Sequence, residues 1–351
     1  MKKKKSIVFT GGGTGGHVTP NLAIMEHFLD DYDVHYIGSS GIEKTLVKQY
    51  KEVTFHEIEC VKLIRSLTLK NLTIPFKLLS SVKQAKKILD EIQPALVFSK
   101  GGYVGLPVAL ACKKLPLFIH ESDSTLGLAN RIALRFADAL FTSFDTIKHP
   151  KAIYTGSPIR KSVYQGNLER AKKDYYTQNS KPYLLVFGGS QGAKTLNDFV
   201  FDNIDELLSR FNILHVKGRN EKRSCRRKGY FGIGYCEHIE DLYALSSFVL
   251  SRGGANSLFE IIALKKPCVC VPLKKGSRGD QIINAKYFED KGCLLTVDED
   301  EISTQSVFTC FENLRKNHDA FVENMSKQKV DGTGKITLKI KVKLQDKKVR
   351  N

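Results

Sequence analysis

Short apolar runs rich in β-branched residues recur along the whole chain, separated by amphipathic or polar stretches. In the first half they are SIVFT (6–10), DVHYIG (33–38), VTFHEIE (53–59), ALVFSKGG (95–102), LPLFIHES (115–122), ALFTSF (139–144) and AIYTGSP (152–158). In the second half they are LLVFGG (184–189), NILHVKG (212–218), FGIGYC (231–236), SFVLSRGG (247–254), CVCVPL (268–273) and GCLLTV (292–297). Runs this short, apolar on both faces, predict buried strands of a parallel sheet, and the stretches between them predict helices, such as residues 21–29 and 41–50. Two glycine turns punctuate the pattern half a chain apart: SIVFTGGGTGGHVTP and YLLVFGGSQGAKT. Each leads from a strand towards a helix, the arrangement that offers backbone N–H groups and a helix N-terminus to an anion. The fold class predicted is α/β, with two Rossmann-like domains whose parallel sheets face a central cleft.

The boundary falls between Gly156 and Pro182, where the chain is polar and poor in apolar runs. This gives a first domain at 1–160, a second at 161–330, and a basic tail at 331–351. The tail contains KITLKIKVKL, whose strict alternation reads as strand-like, and its structure is left open.

Composition sharpens the picture in two respects. The formal net charge is +18, which favours an anionic partner. The eight cysteines form no CxxC pair and no zinc spacing, so free thiols are expected. Four lysines precede only a short apolar run at the N-terminus, too short for a signal peptide core, and no apolar stretch approaches the ~20 residues that span a bilayer. A cytoplasmic protein that touches a membrane without crossing it is expected. The segment from Val61 to Leu89, interrupted by Pro75, carries Lys77, Lys83, Lys86 and Lys87 among Leu, Ile and Phe. It suits an anionic lipid surface, or a half-buried helix with solvated lysines. KGRNEKRSCRRKG, at 217–229, lacks interleaved aromatics and reads as solvated surface.

The glycine turns do not fit the commonest uses. A dinucleotide enzyme wants an acid at the end of the second strand, and Ser39, Ser40 and Gly41 stand there in the first half, Arg219 and Asn220 in the second. A P-loop wants glycine before Lys-Ser/Thr, and Ala193 takes that place.

Candidate chemistry gathers at strand C-terminal ends, where open α/β sheets bind ligands. Thr14, Gly15, Gly16 and His17 follow the first strand; His17 either takes a proton from an attacking hydroxyl or shapes the loop. Gly101, Gly102 and Tyr103 follow another. His120, expected to be structural, precedes Glu121 and Asp123, either of which is a candidate base or sugar contact, with helix capping the alternative for Asp123. SRGGANSLFEI, at 251–261, ends a strand in Arg-Gly-Gly and starts a helix near Asn256 or Ser257. Its N-terminus suits a diphosphate and Glu260 suits ribose hydroxyls; the alternative is a capping box of Ser257 with Glu260. Gln281 has sugar-hydroxyl character. Asp31 and Asp33 form a DxD pair at the wrong end of the sheet, so no bound metal is expected; helix N-termini and basic side chains would neutralise a leaving diphosphate.

Taken together, GGGTGGHVTP, FSKGGYVGLPVALA, HESDSTLGLANR, TGSPIR, FGGSQGAK, SRGGANSLFEI and GSRGDQIINA resemble the MurG glycosyltransferases of bacterial peptidoglycan synthesis, in family order from Gly11 to Ala285. The resemblance implies a GT-B fold. It also implies transfer of N-acetylglucosamine from UDP-N-acetylglucosamine to the 4-hydroxyl of an undecaprenyl-diphosphate-linked muramyl-pentapeptide, with inversion. By position it implies donor contacts at Thr14, Gly15, Gly16, Asp123, Arg160, Ser190, Ile239, Ala255, Asn256, Ser257, Leu258, Phe259, Glu260 and Gln281. Tyr103 lines the acceptor side and His17 or Asp123 is the base. Some members have asparagine where this chain has Asp123. The family's membrane-face binding points again to Val61–Leu89. Two rivals remain: a UDP-sugar 2-epimerase, which needs no lipid acceptor, and a basic nucleic-acid-binding protein, for which the sequence offers no module.

Overall fold

The computed structural model describes residues 4–60, 74–189, 192–274 and 278–346. The chain forms two compact units, unit 1 from 1–160 and 331–351 and unit 2 from 161–330.

Unit 1 runs β1 (Ser6–Thr10), α1 (Gly15–Met25), β2 (Asp33–Gly38), α2 (Ile42–Val47), β3 (Val53–Glu57), α3 (Ile74–Ile92), β4 (Leu96–Ser99), α4 (Gly102–Ala111), β5 (Leu117–Glu121), α5 (Leu128–Ala133), β6 (Ala139–Thr142) and β7 (Ala152–Tyr154). Its seven strands are all parallel, in the order β3-β2-β1-β4-β5-β6-β7. Alternation along β1 sends Ile7 and Phe9 to one face and Val8 to the other. The first face packs on Val18, Leu22 and Met25 of α1, the second on Ala85 and Leu89 of α3 and Val108 and Ala109 of α4. Both faces are covered, as a parallel sheet requires.

Unit 2 begins with a 3-10 turn at Lys161–Gln165 and continues α6 (Leu168–Tyr175), β8 (Tyr183–Phe187), α7 (Lys194–Asp202), α8 (Ile204–Arg210), β9 (Asn212–Val216), β10 (Tyr230–Ile233), α9 (Ile239–Leu245), β11 (Phe248–Ser251), α10 (Ala255–Ala263), β12 (Cys268–Cys270), α11 (Asp280–Glu289), β13 (Leu295–Thr296), α12 (Thr304–Lys316) and α13 (His318–Ser326). Its sheet is also parallel, ordered β10-β9-β8-β11-β12-β13. Leu184, Val186, Ile213, Leu250 and Val269 form a core with Leu196, Phe199 and Val200 of α7 and Val307, Phe308 and Phe311 of α12.

Two sequence expectations change here. The tail forms a helix, α14 (Thr333–Asp346), belonging to unit 1. Residues alternating two by two also recur every fourth position, so Ile336, Ile340 and Leu344 make a helical stripe that packs into the core of unit 1. Leu338 and Val342, the other half of the alternation, are left 62% and 45% exposed. The first helix, expected from Asn21, starts six residues earlier at Gly15 and runs through Pro20. α4 likewise starts on Gly102 and contains Pro107. In both, proline is the sixth helical residue and is buried; packing outweighs the ~3 kcal/mol that an interior proline costs.

Candidate active site

In each sheet the strand order reverses direction once, between β1 and β4 in unit 1 and between β8 and β11 in unit 2. Ligands of open α/β sheets bind beyond the strand C-termini at such switch points. All four strands that flank these points end in glycine turns: Gly11–Gly13 after β1, Gly101–Gly102 after β4, Gly188–Gly189 after β8, and Gly253–Gly254 after β11.

The unit 1 turns are braced from inside. Glu43, fully buried in α2, accepts hydrogen bonds from the Gly13 N–H (3.0 Å), the Ser39 N–H (2.9 Å) and the Ser39 hydroxyl. A Cβ at Gly12 would lie 2.4 Å from the Glu43 carboxyl carbon, and one at Gly13 (φ +84°) 2.2 Å from the Tyr103 ring. Tyr103 itself hydrogen-bonds Ser39, and burial followed by the Glu43 charge raises its phenol pKa. Tyr36 donates to the Gly11 carbonyl at 2.6 Å and accepts from Asn21 Nδ2 at 3.1 Å, while Asn21 also donates to the Thr10 carbonyl at 3.0 Å. His17 stands in the first turn of α1 with Nδ1 2.9 Å from the Thr14 hydroxyl. A Cβ on Gly102 would come within 3.4 Å of its ring, so the two turns of unit 1 meet at His17.

The turn after β5 is organised by Glu121. Its carboxylate, almost fully buried, accepts from the Asp123 N–H (3.2 Å), the Gly127 N–H (2.9 Å) and Asn130 Nδ2 (2.9 Å). Asp123, half-buried, stands two residues further along the same turn. The cap of α5 is Gly127, so Asp123 does not cap a helix. His120, fully buried, meets Lys100 Nζ at 2.8 Å and the Ser143 hydroxyl at 3.5 Å. Burial and the lysine charge push its pKa well below the usual histidine range.

The unit 2 turns are partly open. Cβ atoms at Gly188, Gly192 and Gly253 would strike Ala193, the Lys217 carbonyl and the Gln281 carbonyl, at 2.1, 2.1 and 2.3 Å. At Gly189, Gly254 and Gly279, by contrast, no atom of the described residues lies within 4 Å of the added atom. Packing among the described residues therefore does not account for glycine at those three positions. Gly189 and Gly279 have φ of +94° and +81°, whereas Gly254 has an ordinary φ of −68°. Gly254 is the N-cap of α10, so the helix begins at Ala255, before Ser257. That removes the capping-box alternative: Ser257 is inside the helix and Glu260 is its sixth residue. Glu260 Oε2 lies 3.5 Å from the Tyr243 hydroxyl, on α9. Ala255, Leu258 and Phe259 are buried, and Asn256 and Ser257 are half-buried.

Ile239 is the first residue of α9, half-buried, with His238 as N-cap. Gln281, in the first turn of α11, accepts the Leu273 N–H at 3.0 Å. Arg160 ends the first stretch of unit 1; its charge acts on the Tyr50 phenol, and its buried Nε has no hydrogen-bond partner among the described residues. Ser190 lies outside the described residues, as do Val61–Thr73 of the expected membrane segment. Within unit 1 the structure thus gathers Thr14, Gly15, Gly16, His17 and Tyr103 around the β1–β4 switch point, with Asp123 at the end of the next strand. Within unit 2 it gathers the start of α10 with Gln281.

The sequence reading missed Glu43. It searched for an acid at 39–41 and found none, but the acid stands two residues further and points inward at the glycine turn. It also missed Arg252, buried and bonded to the Val271 carbonyl (3.0 Å) and Glu299 (2.6 Å), where Glu299 further accepts from Thr195 and the Lys274 N–H. Acids distant in sequence that buttress a glycine loop leave no spacing signal. Among the described residues, no group of three or more His, Cys, Asp or Glu side chains is arranged to hold a metal ion.

Two doubly wound parallel sheets, each with paired glycine turns at its switch point, define a two-domain glycosyltransferase of the GT-B class. The glycosyltransferase family 28 N-terminal domain matches residues 7–142, and the family 28 C-terminal domain matches residues 183–340. A crystal structure of Acinetobacter baumannii MurG superposes with a TM-score of 0.73 at 22% identity, covering 96% of this chain and 99% of that one. The UDP-N-acetylglucosamine–N-acetylmuramyl-(pentapeptide) pyrophosphoryl-undecaprenol N-acetylglucosamine transferase of Clostridium tetani (strain Massachusetts / E88) is 43% identical over 334 residues, 92% of this chain and 93% of its own. The transferase of the same name from Clostridium botulinum (strain Loch Maree / Type A3) is 42% identical over 350 residues, 96% and 99%. The chain belongs to the MurG family.

Proposed function

We propose that this enzyme moves N-acetylglucosamine from UDP-N-acetylglucosamine to the 4-hydroxyl of the muramyl-pentapeptide carried on undecaprenyl diphosphate, in peptidoglycan synthesis. The observation that carries the reading is the 43% identity to a transferase of that name across nearly the whole of both chains. The chemistry is a single displacement. The acceptor oxygen bonds to the anomeric carbon from the face opposite the diphosphate, its proton passes to a base, and UDP leaves. Unit 2 carries the donor in this reading. The open space at Gly189 and Gly254 and the amide end of α10 receive the diphosphate, and Glu260 takes the ribose hydroxyls. The Ile239 backbone reads the uracil, and Gln281, Arg160 and Ser190 contact the donor. Unit 1 supplies Thr14, Gly15 and Gly16 near the donor sugar, Tyr103 on the acceptor side, and His17 or Asp123 as base. No resident metal takes part; fixed N–H dipoles and basic side chains offset the diphosphate charge.

The lipid acceptor places the enzyme on a membrane surface, in this reading the cytoplasmic face. Among the described residues no helix is long and apolar enough to cross a membrane. Exposed apolar side chains on unit 1, Phe76 (75%) and Leu79 on α3 and Leu128 on α5, lie among basic residues and support peripheral contact with anionic lipid.

The test is UDP release by the purified protein with and without the lipid-linked acceptor. Release that depends on the acceptor, with sugar appearing on the lipid, is expected. Conversion of the sugar nucleotide without acceptor would overturn the reading in favour of an epimerase. Steep salt-dependent binding to nucleic acid with no UDP release would overturn it in favour of a binding protein. Co-sedimentation with anionic vesicles should fall when Lys83, Lys86 and Lys87 are neutralised together.

A further inference from the structure

At the end of the unit 2 sheet opposite its glycine turns, where β11 starts at Phe248 and β12 at Cys268, lies a cavity of about 380 Å³. Its walls are the residues after α9, the end of α10 with the turn that follows, the last turn of α12 and the start of α13. Nine residues line it; four of them are Lys265, Lys266, Arg315 and His318, and none is acidic. Phe248, Leu264 and Pro267 give it an apolar side. The transfer chemistry above uses none of these residues.

The cations here are not paired as others in unit 2 are. Arg170, Arg252 and Lys274 each hold a carboxylate. Among the described residues, Lys265, Lys266 and Arg315 form no such ion pair. Lys266 is half-buried, and burial, with no charge to offset it, lowers its pKa. Of its three N–H groups one donates to the Ser246 carbonyl at 2.9 Å. His318 differs, since its Nδ1 lies 3.2 Å from Asp319 Oδ1. The α9, α10 and α12 C-termini all reach the cavity. Each carries about half a negative charge, roughly −1.5 together, against +3 from the two lysines and the arginine. A surplus of positive charge therefore remains.

Lys265 adds a second observation. Its φ is +54°, the left-handed region. It closes α10: its N–H donates to the Ile262 carbonyl at 3.0 Å, and the Lys266 N–H to the Ile261 carbonyl at 3.1 Å. Glycine is the residue favoured at this position, so the lysine is held there under strain. A cation that only offset the end of α10 would do so unstrained within the last helical turn.

We propose that this cavity binds a small soluble phosphomonoester: Lys265, Lys266 and Arg315 take the phosphate, and Phe248, Leu264 and Pro267 take a compact ring or apolar body. A carboxylate would neutralise one charge of three, whereas a phosphomonoester carries close to −2 and offers three acceptor oxygens. The volume, near the lower end of the ~300–1,000 Å³ usual for ligand sites, suits a phosphate with one ring. The site is separate from the proposed donor site and does not rest on the transferase reading.

The experiment uses the full-length protein with phenyl phosphate and inorganic phosphate as probes. It reads affinity by calorimetry and location by amide hydrogen exchange. Phenyl phosphate should protect 246–248 and 264–267, equally with and without saturating UDP, and bind roughly ten-fold tighter than inorganic phosphate. Arg315→Ala and Lys266→Met should each weaken it about ten-fold. Lys173→Ala, an exposed lysine on α6 outside the cavity, should change it by no more than about two-fold. Lys265→Gly should raise Tm by a few degrees, as strain is relieved, yet weaken binding several-fold. Protection confined to 188–193 and 253–260, or none at millimolar probe, overturns the proposal. So does equal weakening by Lys173→Ala, which would mark a diffuse field. Lys265→Gly with lowered Tm and unchanged affinity would assign the cations to the helix ends instead. Protection by phosphatidate vesicles without protection by phenyl phosphate would overturn the soluble class.

Discussion

The two units solve the same problem in opposite ways. Both place paired glycine turns at the switch point of a parallel sheet. In unit 1 the chain's own side chains fill the space against the turns: Glu43 lies against Gly12, Tyr103 against Gly13, and Asn130 against Gly101. In unit 2 the inner glycines are packed just as tightly, but Gly189 and Gly254 face open space. A second parallel underlines the contrast. Asn21 of α1 ties its turn to Tyr36 on β2, and the Asn197 Oδ1 of α7 accepts from His215 Nε2 on β9 at 3.0 Å while its Nδ2 donates to the Lys217 carbonyl. The scaffold repeats, and what differs is whether the outer side of the turn is occupied. A glycine held by packing and a glycine facing open space look identical in sequence, and a Cβ test separates them.

The contrast is sharpest under substitution. Glu43→Ala should have the largest effect, because two half-buried N–H groups and a hydroxyl lose their acceptor at once. A loss of about 3 kcal/mol or more is expected, a drop in Tm of roughly 10 °C, read by thermal unfolding. Gly192→Ala should cost about 3 kcal/mol, from a left-handed φ of +79° together with a Cβ 2.1 Å from the Lys217 carbonyl. The buried histidines predict acid lability. His215 is held neutral by burial, its pKa lowered to about 4. Above pH 6.5 neither folded nor unfolded chain is protonated there. Between about 6.5 and 4 only the unfolded chain gains the proton, so stability falls with pH by roughly 3 kcal/mol in all. Urea unfolding at pH 7 and pH 4.5 should show it, and His215→Gln should flatten it.

Smaller in stability, and aimed at the proposed donor site, are two half-buried positions of α10 and its cap in unit 2. Glu260→Ala should leave Tm unchanged and raise the donor KM by roughly 10- to 100-fold. Gly254→Ala, at an allowed φ with no neighbour to strike, should shift stability by no more than about 0.5 kcal/mol yet weaken donor binding about ten-fold. Equal destabilisation by Gly254→Ala and Gly192→Ala would erase the distinction between open and packed glycines.

Much of this was legible in the sequence. The thirteen apolar runs correspond to the strands β1 to β13, because strands buried on both faces need continuous apolar residues. The placement of Asp123 just past β5, and of His17 and Glu260 in the helices that follow β1 and β11, came from the same pattern. Three features were not legible. Helices that begin on glycine and run through Pro20 and Pro107 defy local propensity, since burial sustains them. The alternating tail satisfied strand and helix periods together, and only packing into the unit 1 core beside α1 selected the helix. Glu43 and Lys100 act on residues 30 and 20 or more positions away, and no local motif records contacts of that range.

Nucleotide binding by unit 2 is tested most directly by amide hydrogen exchange of the full chain with and without saturating UDP, in the presence of a metal chelator. Protection should appear at 188–193 and 253–260, with 11–16 little changed. Protection confined to the unit 1 turn, or none until a metal is restored, would contradict it.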